Sequence, residues 1–341
     1  MNGTMSALPR IQTQCKAIDL LTDGGLATGT ITQIFGEKAL GKSIISFQTA
    51  CAAVAAGSSA IILDTEQSYA SYLIPYWQAR MSKRFGREIP IHEVKLERTP
   101  KVGGKKKAVT RGQVISAFGN TLDQLGIVYS DSHLGSLADI VSPEFHADLP
   151  QRDGPSVMIL QVPDVIDLLA LHGVDAKKQV SEGSRVELRL QSTPVYQSVL
   201  HQIIRETGSK LLVYDSISAP FKATFANTQD LPARSAGLAM LLAHSQRLCV
   251  EFGIAVEVVS HVSIDPIKAW DRRPYGGVIL GHEAKFSLEL TKGTAKRNAE
   301  AEEVNPEDRA ENTKAIWVAR HPAMEEYSRF GYAKVDEEGF H

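Results

Sequence analysis

The chain has 341 residues, 43% of them hydrophobic, with 37 Lys and Arg against 39 Asp and Glu, a formal net charge of -2. That length and apolar fraction suffice for one large α/β domain or two smaller ones. The near-neutral balance announces no nucleic-acid partner through bulk charge, so such a contact must rest on local patches.

Cys15, Cys51 and Cys249 lie far apart, without a C-x-x-C or a zinc-like His spacing, a set that fits a reducing cytosol. Residues 1–10 hold no apolar signal region, and ACAAVAAG is too short to span a bilayer, so a soluble cytoplasmic protein with no membrane partner is expected.

The first strand-like run is TITQIF, Thr30–Phe35. GEKALGKS, Gly36 to Ser43, follows and satisfies G-x-x-x-x-G-K-[ST]. SIISFQTACAAVAA then reads as a helix ending near Gly57. Strand, glycine-containing loop and helix in that order are the setting in which the motif binds a nucleoside triphosphate. The stretch Gly36, Glu37, Lys38, Ala39, Leu40, Gly41, Lys42, Ser43 and Ile44 is expected to cradle phosphate oxygens with backbone N–H groups. Lys42 would reach the β- and γ-phosphates, and the Ser43 hydroxyl would be a ligand of Mg²⁺. A glycine-rich turn before a helix is the bland alternative.

SAIILD, Ser59–Asp64, is the next strand and leads into Thr65 and Glu66. Glu66 thus falls at the C-terminal edge of a sheet, where ligands bind, either orienting an attacking water or standing as a solvated loop carboxylate. Arg98–Arg111 holds six basic residues around Gly103 and Gly104 and reads as a basic loop. Ser130–Pro155 is polar and turn-rich. VPDVIDLLALHGVD carries a helical apolar stripe of Val162, Val165, Ile166 and Leu169, expected to pack on the core.

VELRLQ, Val186–Gln191, reads as a strand, and a helix is expected from the cap-like Ser192-Thr193-Pro194 to Gly208. KLLVYD, Lys210–Asp215, is an apolar strand ending in the acidic residue that a P-loop needs to hold Mg²⁺. A helix over Ala233–Phe252 and the strand IAVEVVS, Ile254–Ser260, complete the alternation, and Glu300–Glu311 is an acidic solvated loop. Strands alternating with helices predict a doubly wound α/β sheet, mainly parallel and flanked by helices.

Taken in order, these motifs resemble the RecA/RadA recombinase family, in its archaeal RadA-like branch. RIQTQCKAIDLLTDGGLATGTITQIFGEKALGKS is similar to that family's core entry and nucleotide loop, ILDTEQSY to its catalytic-glutamate strand, and KLLVYDSISAPFKATF to its second acidic strand. DLPARSAGLAMLLAHSQRL resembles the helix after DNA-binding loop one, and RRPYGGVILGHEAKFSLEL the end of loop two and its following strand. The resemblance covers most of Arg10–Leu290. It implies a RecA-like P-loop ATPase with Glu66 activating water, Lys42 and Ser43 on phosphate and magnesium, and Asp215 completing the metal site.

Departures from the family pattern shape the remaining expectations. Met1–Pro9 carries neither the N-terminal DNA-binding domain nor the polymerisation motif of the strand-exchange enzymes, so a core-only paralogue of the RadB or RadC kind is expected over 1–341. Extra chain within Lys83–Ser184 predicts an insertion. Ser260-His261 replaces the family's Asn-Gln pair, leaving His261 either a phosphate donor or a packed strand-end residue. Loop one, Phe225–Leu231, lacks the family's basic and Gly residues. Loop two, Ser263–Pro274, keeps Lys268, Trp270, Arg272 and Arg273, which suit single-stranded DNA. Arg320 is a candidate contact to a neighbouring subunit's nucleotide.

The implied function is ATP-binding and slow, DNA-modulated hydrolysis in recombination or DNA repair, with a recombinase or repair protein and a homo-oligomer among its partners. Two alternatives stay open: a non-hydrolysing, ATP-switched mediator, and a KaiC-like signalling ATPase.

Overall fold

The computed structural model describes residues 9–98, 145–149, 153–180, 186–192, 195–264, 272–275, 277–293 and 312–341. Its strands are β1 (Arg10–Ile11), β2 (Leu26–Ala27), β3 (Ile31–Gly36), β4 (Ala60–Asp64), β5 (Ile91–Arg98), β6 (Phe145–Asp148), β7 (Val157–Gln161), β8 (Val174–Val180) and β9 (Val186–Ser192). They continue as β10 (Leu211–Asp215), β11 (Ala255–Ile264), β12 (Arg272–Pro274), β13 (Phe286–Lys292), β14 (Thr313–Arg320), β15 (Phe330–Asp336) and β16 (Gly339–Phe340). The helices are α1 (Lys16–Leu21), α2 (Lys42–Ala55), α3 (Ile74–Phe85), α4 (Val165–Leu171), α5 (Val199–Thr207), α6 (Ala219–Thr224), α7 (Leu231–Phe252) and α8 (Gly277–Glu283).

The main sheet runs β16-β15-β14-β13-β3-β11-β10-β4-β7-β5-β6, with β12 added to β11. Every pairing from β13 through β5 is parallel, and the antiparallel pairings of that path lie at its two ends. This is the mainly parallel, helix-flanked α/β architecture that the alternation of apolar runs predicts. β3, β4 and β10 are buried along their whole length, as strands covered on both faces must be.

Side chains alternate across those strands and feed two cores. Ala60 and Ile62 of β4 join Phe47, Cys51 and Val54 of α2 on one face. Ile61 and Leu63 turn to the other, against α4, α5 and α7. The stripe of α4 packs as its spacing requires: Val162, Val165 and Leu169 are core residues and Ile166 is half-buried beside them.

Val186–Gln191 is a strand, as expected, and pairs with β8 in a two-stranded hairpin apart from the main sheet. Its alternation of Leu188 and Leu190, packed inward, with exposed Arg189 and Gln191 is the pattern of a half-buried hairpin. The expected helix start needs correction: the helix expected from Ser192 begins only at Val199, where the Ser198 hydroxyl caps it by accepting from His201 N at 3.1 Å. Thr193 and Pro194 lie outside the described residues, as do most of Arg98–Arg111 and all of the acidic stretch Glu300–Glu311.

Buried polar bonds tie the α4–β9 segment to the sheet. His172 Nε2 lies 2.6 Å from the Tyr214 hydroxyl, which lies 2.7 Å from Ser245 Oγ. His244 donates through Nδ1 to the His172 carbonyl at 2.7 Å and meets Ser192 Oγ at 2.8 Å. Burial pulls the His172 pKa down to about 3, so its ring is neutral.

Glu257 of β11 is fully buried beneath α2. Ser46 Oγ lies 2.5 Å from Glu257 Oε1 and 3.1 Å from the Lys42 carbonyl. Burial, opposed by the Ser46 bond and reinforced by the Asp215 charge, pushes the Glu257 pKa up to about 7. Stability from such a raised carboxyl is full below its ordinary value of 4.5 and is lost as pH rises through about 7. Glu257→Gln keeps an acceptor for the Ser46 hydroxyl and cannot ionise. Urea unfolding is expected to show the variant close to wild type near pH 5 and more stable by on the order of 3 kcal/mol near pH 8.

Candidate functional site

The loop between β3 and α2 is held by backbone geometry that only glycine tolerates at its ends. A Cβ on Gly36 would stand 2.4 Å from the Leu290 carbonyl oxygen. Gly41, the residue before α2, has φ +94°, and a Cβ there would meet the Phe340 ring at 2.8 Å. Inside the loop, Lys42 Nζ donates to the carbonyls of Gly36 at 3.0 Å and Glu37 at 2.7 Å. Burial lowers the Lys42 pKa, while the charges of Asp215, Glu66 and Glu37 oppose that shift. Glu37, Lys38, Ala39 and Leu40 complete the loop, and Ser43 and Ile44 open the helix.

Asp215 ends β10 directly opposite Asp64 of β4. It is buried, and the Tyr69 hydroxyl donates to Asp215 Oδ2 at 2.8 Å. The Ser43 hydroxyl also bonds this carboxylate; burial nevertheless dominates and pushes the Asp215 pKa up to about 6. Asp64 organises the turn beyond its strand, accepting from the N–H groups of Glu66 (3.2 Å), Ser68 (3.0 Å) and Tyr69 (2.9 Å).

That turn presents Glu66. Ser216 Oγ donates to Glu66 Oε1, and His261 Nε2 lies 2.9 Å from the same oxygen. The His261 bond, with the Ser216 bond and the nearby Lys42 charge, lowers the Glu66 pKa against the opposing effect of burial. Glu66 is therefore ionised at neutral pH. His261 stands level with Gly36 in the β11–β3 register, and the preceding Ser260 accepts from Gln33 Nε2 at 2.9 Å.

Lys42, Ser43, Glu66, Asp215 and His261 thus converge at one sheet edge. Among the described residues no cluster of three His, Cys, Asp or Glu side chains could hold a metal by itself. One carboxylate and one hydroxyl in contact, beside a phosphate-binding loop, is a donor set that fits Mg²⁺, which keeps several waters and binds through few protein ligands plus phosphate.

The remaining candidates are placed as follows. Lys268 and Trp270 lie outside the described residues. Arg272 and Arg273 lie in β12, opposite Ile264 and Ser263 of β11. Arg320 pairs with Ser287, near the start of β13, whereas Leu290 of that strand is level with Gly36. It sits away from the level of Gly36, toward the start of β13.

Tyr69, Ser216, Tyr275 and Phe340 also belong to the site, though none is picked out as a site residue from the sequence. Tyr69 stacks on Phe47 at 5.5 Å, and its hydroxyl, which donates to Asp215, also lies 2.9 Å from the Ser43 carbonyl. Phe340 reaches the loop from the other end of the chain. Its backbone is gripped by Gln48 of α2, through N–H (2.8 Å) and carbonyl (3.1 Å), and by Arg84 of α3 at 2.7 Å.

A family model described as Rad51 matches residues 5–79 and 190–314, more than half of the chain. The chain belongs to the Rad51 family. Among curated Rad51-family relatives it is 35% identical over 89 residues to the human "Meiotic recombination protein DMC1/LIM15 homolog", spanning 25% of this chain and 26% of that protein. It is 31% identical over 137 residues to "DNA repair protein RAD51 homolog 1" of Arabidopsis thaliana, spanning 39% of this chain and 40% of that protein. The chain therefore aligns with about a quarter to two-fifths of these relatives' length. A crystal structure of the RadB recombinase superposes with a TM-score of 0.49 at 16% identity, over 97% of this chain and 98% of that one. No helix among the described residues is long and apolar enough to cross a membrane.

The Phe340 contact makes a direct stability test. Phe340→Ala removes a fully buried ring from the phosphate loop and is expected to cost about 3–5 kcal/mol in urea unfolding. A loss below about 1 kcal/mol would show that the ring does not brace Gly41.

Proposed function

We propose that this Rad51-family chain binds ATP with Mg²⁺ and hydrolyses it slowly, in a cycle modulated by single-stranded DNA that serves recombination or DNA repair. The observation that carries this reading is the convergence of an ionised Glu66 with Lys42, Ser43 and Asp215 at one sheet edge. In-line hydrolysis requires a carboxylate to orient water and fixed positive charge for the developing phosphate oxygens. Glu66 supplies the first and Lys42, with the loop amides of residues 36–44, the second. Magnesium, when bound by Ser43 and Asp215, adds positive charge at the β- and γ-phosphate oxygens.

Single-stranded DNA is assigned to Lys268, Trp270, Arg272 and Arg273, and a trans contact to Arg320 in a homo-oligomer. A recombinase or repair protein is the protein partner this reading implies. Names such as "DNA repair protein RAD51 homolog 1" support that setting.

One feature favours the mediator reading instead. Ser216 and His261 both occupy Glu66 Oε1, which restrains the carboxylate that must face water. ATP turnover with and without single-stranded DNA separates the two. Glu66→Gln is expected to bind ATP within about threefold of wild type while turnover falls about 10²–10⁴-fold. Unchanged turnover in that variant would refute Glu66 as the water-orienting group. Tight ATP binding by wild type without turnover, even with DNA, would favour the switched mediator.

A further inference from the structure

Tyr275, the residue after β12, is held from three directions. Its backbone N–H donates to the His261 carbonyl at 2.7 Å. Its hydroxyl accepts from Arg234 Nη1 at 2.5 Å. Its ring lies beneath two cations, with Arg234 Cζ at 4.7 Å and Lys222 Nζ at 5.6 Å from the centroid.

Those cations bracket the segment that corresponds to loop one. Lys222 belongs to α6 and Arg234 to the first turn of α7, with residues 225–230 between them. Lys222 is exposed and Arg234 half-buried. Neither forms an ion pair among the described residues, so an aromatic ring and a phenol oxygen serve in place of a carboxylate. A phosphate offers the same cations a charge-assisted, bidentate contact that is stronger than either.

The same tyrosine therefore touches two different places. Through its side chain it occupies the cations. Through its backbone it fixes His261, whose imidazole lies on Glu66 Oε1. We propose that Tyr275 is a positioning residue that couples a nucleic-acid phosphate bound at Lys222 and Arg234 to the hold of His261 on Glu66. This rests on the DNA and ATP reading above and adds to it a chemical route.

Two arrangements follow. In one, Arg234 and Lys222 cap the Tyr275 ring and the β11–β12 end is fixed, with Glu66 restrained. In the other, phosphate takes both cations, the phenol loses its donor, and His261 is released with the segment that carries it. A bound strand shifts the balance only because it contacts the cations differently in the two arrangements.

Tyr275→Phe deletes the oxygen that accepts from Arg234 and keeps the ring and the backbone N–H. The test uses the full chain, a fluorescent oligo-dT strand, and a non-hydrolysable ATP analogue with Mg²⁺. The Kd for the strand is measured with and without the analogue, alongside thermal melting to establish that the variant is folded. Wild type is expected to show a ratio of about fivefold or more between the two Kd values, and Tyr275→Phe a ratio below about twofold. Arg234→Gln is expected to collapse the ratio in the same way.

A folded Tyr275→Phe that keeps the wild-type ratio overturns the inference and leaves the DNA reading standing. So does a wild type that binds both ligands with a ratio of one. A wild type that binds the analogue but no strand overturns the DNA reading itself, and this inference with it.

Discussion

A carboxylate shut away from water has to be met by donors or by a cation, and Asp215 lies at the point where that requirement organises the site. Its strand carries it to the edge of a parallel sheet, in register with Asp64, at a depth where burial is the largest of the influences that push its pKa up to about 6. Two hydroxyls answer it, one from the first turn of α2 and one from the turn after β4. Tyr69 can reach Asp215 only because Asp64 draws three backbone amides of that turn around itself. The same turn sets Glu66 beside Ser216 and His261. The position of Glu66 is thus a consequence of how the buried carboxylate is satisfied.

Two levels of charge control sit one above the other. Burial raises both Glu257, under α2, and Asp215 above it, and at Asp215 the Ser43 and Tyr69 hydroxyls oppose the rise. Glu66, nearer solvent, is moved the other way by His261 and Ser216. Pushing neighbouring carboxyls apart in this way separates one that can hold a cation from one that can orient a water. His261 is where the chain departs from the Asn-Gln pair of the proteins it resembles. Its bond to Glu66 turns a phosphate-facing position into a carboxylate-facing one.

Local pattern makes the sheet and the phosphate loop legible, because a fixed spacing of glycine, lysine and serine between a strand and a helix has one structural meaning. KLLVYD and IAVEVVS read as buried strands for the same reason. VELRLQ is a strand as read, but its sheet is not legible, because a strand signal says nothing about which partner it joins; its alternation of Leu with charged residues suits a half-buried hairpin. The helix after it reads as starting too early because Ser192-Thr193-Pro194 imitates a cap, while Ser198 supplies the real one. Tyr69, Phe340 and Tyr275 are illegible because their roles come from contacts between distant segments: Phe340 lies 292 residues from the Gln48 that grips it. Lys222 and Arg234 flank a segment that looks depleted of charge, and only folding brings both to one ring.

The most direct measurement is a crystal structure with a non-hydrolysable ATP analogue and Mg²⁺. The triphosphate is expected along the amides of residues 36–44, with Lys42 turned from the Gly36 and Glu37 carbonyls to phosphate. Magnesium should lie against Ser43 and Asp215, and Glu66 should be free of Ser216 and facing the γ-phosphate. A nucleotide bound elsewhere, or a Glu66 still locked to Ser216 and His261 with its carboxylate turned away from the γ-phosphate, would contradict this hydrolytic site.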